Sequence, residues 1–326
     1  MVHIIYERLE MRETDIIRGD TWQEVASHPS WRKLEAFECG YSAADRIIGG
    51  LNAALGQFPW ILRLGYTLEG EEDLDWMCGG VLVTDKHVVT AAHCVKTADD
   101  GIKLVSIRAG EYDARTDPDC QLGVCAPPLQ DRRVRAIRSH ASFNKPPFHN
   151  DIAVIELDSP FDLNDYVAPI CLPQRDQLTE LRLGELVTVA GWGKTNMSTD
   201  QRADILQFVS VTLVPLRIII LVDNQSVQLL RLCTLQLPVL KPESCSFFGK
   251  GFKVEKSEIC AGSQRNKDAC GGDSGGPLMK IFDTAEGPKS FLVGVVSFGP
   301  TVCGIKKPGV YTSVPYFLKW ILDNIS

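Results

Sequence analysis

The chain of 326 residues contains no apolar run approaching the ~20 residues of a membrane-spanning helix. Its longest candidate, Leu213 to Val222, is broken by Pro215 and Arg217. A basic excess is also missing: 34 Lys and Arg face 41 Asp and Glu, for a net charge of -7. Nucleic acid and anionic membrane are therefore not its expected partners, because both demand a broad cationic surface. No CxxC pair occurs, which removes the commonest zinc framework. A secretion leader is lacking as well. Residues 1–20 carry Glu7, Arg8, Glu10, Arg12, Glu13, Asp15 and Arg18, leaving no apolar core of ~7–15 residues. There is neither a 20–50-residue repeat nor a low-complexity tract.

What is present is ordinary globular composition, 44% hydrophobic and 23% charged, enough to bury a core. The length suits two domains or one large all-β domain. Eleven cysteines point to an oxidising compartment, and the odd count leaves one thiol outside any intramolecular disulfide scheme. Either the true N-terminus is missing or the chain is not secreted; the cysteines favour the first and an extracellular location.

Residues 1–46 are mixed and polar, without sustained periodicity, and read as a propeptide or linker. From Ile47 onward short β-type runs alternate with Gly, Pro, Asn and Asp. Examples are Gly80 to Val83, His87 to Thr90, Asp151 to Leu157, Leu186 to Ala190, Phe291 to Ser297 and Gly309 to Val314. Many short strands with turn signals argue for an all-β barrel or sandwich. Pro315 to Ile325 alone has helical spacing, with Phe317, Leu318 and Ile321 on one face.

Three sequence contexts carry chemistry: His93 in Thr-Ala-Ala-His-Cys, Asp151 in Asn-Asp-Ile-Ala-Val, and Ser274 in Gly-Asp-Ser-Gly-Gly. Singly, each has a bland reading, as a core histidine, a strand start and a glycine-rich turn. Together they supply a general base, a carboxylate to orient it and a nucleophile.

With Arg46-Ile47-Ile48-Gly49-Gly50, Gly191-Trp192-Gly193 and Pro277 after Gly276, the chain resembles the chymotrypsin-like (trypsin family) serine proteases from Ile47 to its C-terminus. The resemblance implies an all-β fold of two packed six-stranded antiparallel barrels, with the active site between them and a C-terminal helix. It implies an oxyanion hole from the N–H groups of Gly272 and Ser274. It places Asp268 at the floor of the specificity pocket, with Ser297, Gly299 and Gly309 lining it, hence cleavage after Arg or Lys. A one-chain zymogen is implied too: cleavage between Arg46 and Ile47 would free an amine to pair with Asp273. No cofactor is needed for that chemistry.

The resemblance also implies disulfides Cys78–Cys94, Cys245–Cys260 and Cys270–Cys303, with Cys39–Cys171 tying residues 1–46 to the protease domain at 47–326. Cys120 and Cys125, in a small extra loop, and Phe143-Asn-Lys-Pro-Pro147 resemble the clip-domain proteases of arthropods. Those act in haemolymph cascades of immunity, melanisation and patterning, so expected partners are protein substrates, an upstream activating protease and serpins. The clip module itself is absent, since only Cys39 precedes Ile47. Glu111, Asp113, Thr116 and Asp119 match a loop that can hold calcium, an acidic surface loop being the other reading. A non-catalytic homologue acting as a regulatory binder is the alternative function; such proteins usually lose the nucleophile, which is present here. Finally, residues 211–236 interrupt what the family makes nearly continuous. They are apolar without strand alternation and carry Cys233, the thiol without a partner. We read them as foreign to the native protein.

Overall fold

The computed structural model describes residues 22–42, 52–68, 73–96, 101–174, 177, 186–194, 202–212, 253–262, 271–299 and 307–326. The expectations for Arg46, Ile47, Cys233, Cys245, Asp268, Cys270, Cys303 and most of the 211–236 interruption lie outside them.

The first half folds into strands β1 (Ile61–Leu68), β2 (Asp75–Leu82), β3 (His87–Thr90), β4 (Ile102–Ala109), β5 (Cys120–Gln121), β6 (Val124–Cys125), β7 (Gln130–Ser139) and β8 (Ala153–Leu157). Six of them close an antiparallel barrel in the order β1-β2-β3-β8-β7-β4, which leaves no unpaired edge. β3 is buried along its whole length, as a Val-rich run between two partners should be. β5 and β6 form a separate hairpin stapled by Cys120–Cys125.

The second half supplies β9 (Leu186–Gly191), β10 (Gln207–Thr212), β11 (Glu258–Gly262), β12 (Pro277–Thr284), β13 (Gly287–Phe298) and β14 (Pro308–Ser313). These form one antiparallel sheet, ordered β10-β9-β12-β13-β14-β11, whose two edge strands curl toward each other. The all-β expectation is met, with the second barrel a curled sheet among the described residues. One core runs through both halves: Trp60, ahead of β1, donates from its indole to Met279 Sδ on β12 at 2.9 Å. That shared core holds the cleft walls in register.

Four short helices complete the described chain: α1 (Trp22–Ala26), α2 (Trp31–Leu34), α3 (Ala92–Val95) and α4 (Val314–Asn324). α4 is the expected C-terminal helix. Ser313 caps it by accepting from Tyr316 N–H, and it buries Phe317, Leu318, Ile321 and Leu322.

Residues 22–42, within the stretch read as a propeptide or linker, dock on the core. Val25 is fully buried and Trp31 is 9% exposed, both within the main core. Trp31 donates its indole N–H to Val25 O at 2.7 Å, so its one polar atom is satisfied on burial. Ser30 Oγ donates to Leu322 O of α4 at 2.8 Å. Helices of five and four residues are too short to show a 3.6-residue period, so the sequence carried no signal for them.

Candidate active site

β3 and β8 are neighbours, with Thr90 opposite Ala153, and this pairing brings two chemical groups together. His93 stands in α3 just after β3, and Asp151 two residues before β8. Asp151 Oδ2 lies 2.7 Å from His93 Nδ1, and its Oδ1 accepts the His93 backbone N–H at 2.9 Å. A carboxylate only accepts, so Nδ1 carries the proton and Nε2 is left as a base. Asp151 is 4% exposed, yet its charge is stable there because three donors meet it. The third is Ser297 Oγ–H, at 2.5 Å from Oδ2. Burial alone would raise the Asp151 carboxyl, but the charge and hydrogen bonds of His93 and the Ser297 bond hold it below the ordinary range. Burial likewise works against a charged His93, and Asp151 outweighs it, so the imidazole titrates above its usual value.

Ser274 lies in the turn that leads into β12. Its carbonyl accepts Gly79 N–H from β2 at 2.7 Å, which ties the turn to the first barrel. On the other side Gly275 N–H donates to Val296 O at 2.8 Å. Gly275 has φ +77°, and a Cβ there would press on Thr90 Oγ1 and Gly79 O, so only glycine fits. Gly272 also has a positive φ, +102°, as the sharp turn before Ser274 requires. Among the described residues no hydrogen bond joins Ser274 Oγ to His93; Nε2 lies 3.6 Å from Cys94 Sγ. Such contacts commonly tighten when substrate binds. The arrangement can do acyl transfer: a hydroxyl nucleophile, an imidazole base on a buried carboxylate, and a glycine-rich turn presenting N–H groups.

Asp273 Oδ1 accepts Gly193 N–H at 2.8 Å, and a Cβ on Gly193 would collide with that carboxylate. The Gly-Trp-Gly motif thus makes room for Asp273. Among the described residues a Cβ on Gly299 would meet nothing within 4 Å, which leaves open space beside it. Gly309 lies in β14, opposite Ala261. Ser297, expected to line the pocket, turns its hydroxyl to Asp151. The sequence offered no signal for that bond, nor for Thr312 Oγ1, which donates to Asp151 O at 2.8 Å from β14. Both cross from the second sheet to the first barrel, and no local pattern records such a pairing.

Cys39–Cys171, Cys78–Cys94 and Cys120–Cys125 are bonded. Cys260 is also disulfide-bonded, while its expected partner lies outside the described residues. The residues of the calcium loop do not fit an ion. Asp113 is held by Arg115 at 2.6 Å, and Asp119 Oδ2 accepts the N–H groups of Tyr112 and Asp113. Asp119 Oδ1 takes Thr116 Oγ1–H at 2.5 Å. Glu111 Oε2 sits 3.2 Å from Arg63 and 3.6 Å from Arg108, leaving Oε1 buried without a partner. The chain's own arginines do the work a cation would do. Among the described residues the one cluster of the right reach for a metal is Cys78, His93 and Cys94, whose sulfurs are spent in a disulfide.

A family model described as Trypsin matches residues 47–321. The chain belongs to the trypsin family. Among its relatives, the Spaetzle-processing enzyme of Drosophila melanogaster is 36% identical over 300 residues, covering 88% of this chain and 68% of that protein. Phenoloxidase-activating factor 1 of Holotrichia diomphalia is 35% identical over 303 residues, covering 88% and 72%. CLIP domain-containing serine protease HP8 of Bombyx mori is 35% identical over 300 residues, covering 88% and 71%. In structure this trypsin-family chain is similar to the Drosophila Grass clip serine protease of the Toll pathway. The TM-score is 0.71 at 30% identity, over 89% of this chain and 75% of that one. Among the described residues no helix is long and apolar enough to cross a membrane.

Proposed function

We propose that the chain is the zymogen of an extracellular serine endopeptidase cleaving after Arg or Lys in an arthropod proteolytic cascade. The observation that carries the chemistry is the buried Asp151 carboxylate bound to His93 Nδ1, with Ser274 in a turn tied to β2 on one side and β13 on the other. Ser274 Oγ attacks the scissile carbonyl as His93 Nε2 takes its proton, and Asp151 stabilises the imidazolium formed. The N–H groups of Gly272 and Ser274 take up the oxyanion, each such donor worth about 3–4 kcal/mol in related proteases. Nucleophile, base and orienting group all belong to the chain, so the reaction calls on no cofactor, and calcium is no part of this reading.

Arg or Lys preference rests on Asp268 in the family's pocket-floor position and on the open space beside Gly299. A desolvated carboxylate at the pocket floor favours a cationic side chain and penalises an apolar one by several kcal/mol. The activating cleavage is at Arg46–Ile47, by an upstream protease of the same preference. The cascade role rests on relatives named for processing Spaetzle and activating phenoloxidase, and serpins are the inhibitors such a site would meet.

After limited trypsin cleavage, the enzyme should react with a serine-directed phosphonate and hydrolyse Arg and Lys peptides but not Phe or Leu peptides. Failure of both would make the chain a non-catalytic binder. Asp268→Ser should abolish the Arg preference while Ser274 stays reactive; an unchanged preference would sink the pocket assignment. Residues 211–236 are proposed to be absent from the native protein. Mature transcript that still encodes them would refute that.

A further inference from the structure

We infer that the outer face of β7, with the strand ends beside it, is a binding site for a linear sulfated polysaccharide. On a chain of net charge -7, cations are concentrated here. Lys86, Arg135 and Arg138 all converge on the single carboxylate of Glu156, at 3.8, 3.2 and 3.3 Å. One acid therefore faces three cations, and their side chains remain 41%, 63% and 40% exposed. Arg133, exposed on the same face as Arg135, has no ion pair among the described residues; Asp158 nearby accepts its backbone N–H and the Ser159 hydroxyl instead. The field of this cluster is felt at buried His87 on β3, opposite Glu156. Burial first, then Lys86, Lys33 and Arg138 push its imidazole down to about 4, with Glu156 alone opposing.

Geometry selects the ligand class. Arg133 and Arg135 are two residues apart on β7, which shifts register against β8 between Val134 and Ala136, so the two exposed side chains leave the strand within about 7 Å of each other. A line of exposed guanidiniums suits a chain whose sulfate groups recur along its length, each able to accept a forked pair of N–H bonds. A flat anionic membrane would have to face the acidic remainder of the surface too. On β7 only Ile137 is an exposed large apolar side chain to insert. Glu156 is five residues along the chain from Asp151, roughly 16 Å of extended strand, so the occupied site leaves the catalytic cleft free.

The test is retention of the full chain on immobilised heparin at neutral pH, read as elution salt and as the slope of log K against log salt. Arg133→Glu/Arg135→Glu should bind at least tenfold more weakly, with the slope reduced by about two as two counterion-releasing contacts are lost. Lys280→Glu/Lys319→Glu, the same charge change on other faces, should bind as the parent does. Glu156→Gln should bind more tightly, because it removes the acid on which Lys86, Arg135 and Arg138 converge. If the glutamate pair folds poorly, Arg133→Ser/Arg135→Ser serves in its place, and Arg133→Lys/Arg135→Lys should keep the parent's salt slope while binding more weakly, because the charge stays and the fork is lost. Equal losses in both double variants, weaker binding by Glu156→Gln, or no retention of the parent would each overturn the site. Phosphatidylserine vesicles or duplex DNA binding through these arginines while heparin does not would overturn it as well.

Discussion

Asp151→Asn is expected to lower kcat of the cleaved enzyme about 10⁴-fold toward an Arg peptide, with the fold and phosphonate access kept. The amide presents an N–H where His93 Nδ1 now finds an acceptor, so the imidazole is driven toward the tautomer that cannot accept the Ser274 proton. The loss is chemical rather than structural, because Ser297 and the His93 backbone can still hold a side chain of that shape. The pH profile separates the two. In the parent, Asp151 raises His93 above its ordinary value, near 6.5, and only neutral imidazole is a base. Activity therefore rises as pH climbs through that raised value. Without the carboxylate the remaining influence is burial, which lowers it, so the residual activity should rise at lower pH than in the parent. A kcat within tenfold of the parent, or an acid limb that does not move downward, would remove Asp151 from its role.

Arg46→Gln should leave the chain without peptidase activity after exposure to trypsin at an enzyme ratio that fully activates the parent. Asp273 is adjacent to Ser274, in the turn proposed to shape the oxyanion hole. Its carboxylate is turned onto the Gly191–Gly193 segment, where it accepts Gly193 N–H. A carboxylate in such a position is stable in proportion to the positive charge it meets, and the new amine of Ile47 supplies one. Mass spectrometry should find the bond at residue 46 intact in the variant. Parent-like hydrolysis by the intact variant would show that the amine is not required, and the zymogen reading would fall.

The candidate catalytic groups could be picked out because each sits in a short, chemically constrained context. The histidine follows a buried strand, and the serine needs glycine on both sides. The central strands were legible for a related reason: β3 and β8 are apolar runs bounded by turns. β7 was not. Its sequence, Gln130 to Ser139, is rich in arginine, and it becomes a strand because β4 and β8 supply partners on both sides. The Ser297 bond to Asp151 was not legible, since sequence order says nothing about which way a hydroxyl turns. The acidic stretch at Glu111 to Asp119 reads equally as a calcium loop or an acidic surface loop in sequence, because the pairing of Glu111 with Arg63 of β1 leaves no local pattern.

The docked segment at residues 22–42 changes what a cut at residue 46 accomplishes. Val25 and Trp31 belong to the same core as α4, and Cys39 is bonded to Cys171. The N-terminal piece is thus held twice, by a covalent bond and by burial, and severing the chain downstream of it frees an end without freeing a fragment. The residues ahead of such a cut would stay with the protease domain, at an effective concentration that dilution cannot lower. Reduction of Cys39–Cys171 alone would leave the segment seated by its indole and valine. On the proposed cleavage, activation would be a change of connectivity that leaves residues 22–42 attached to the protease domain.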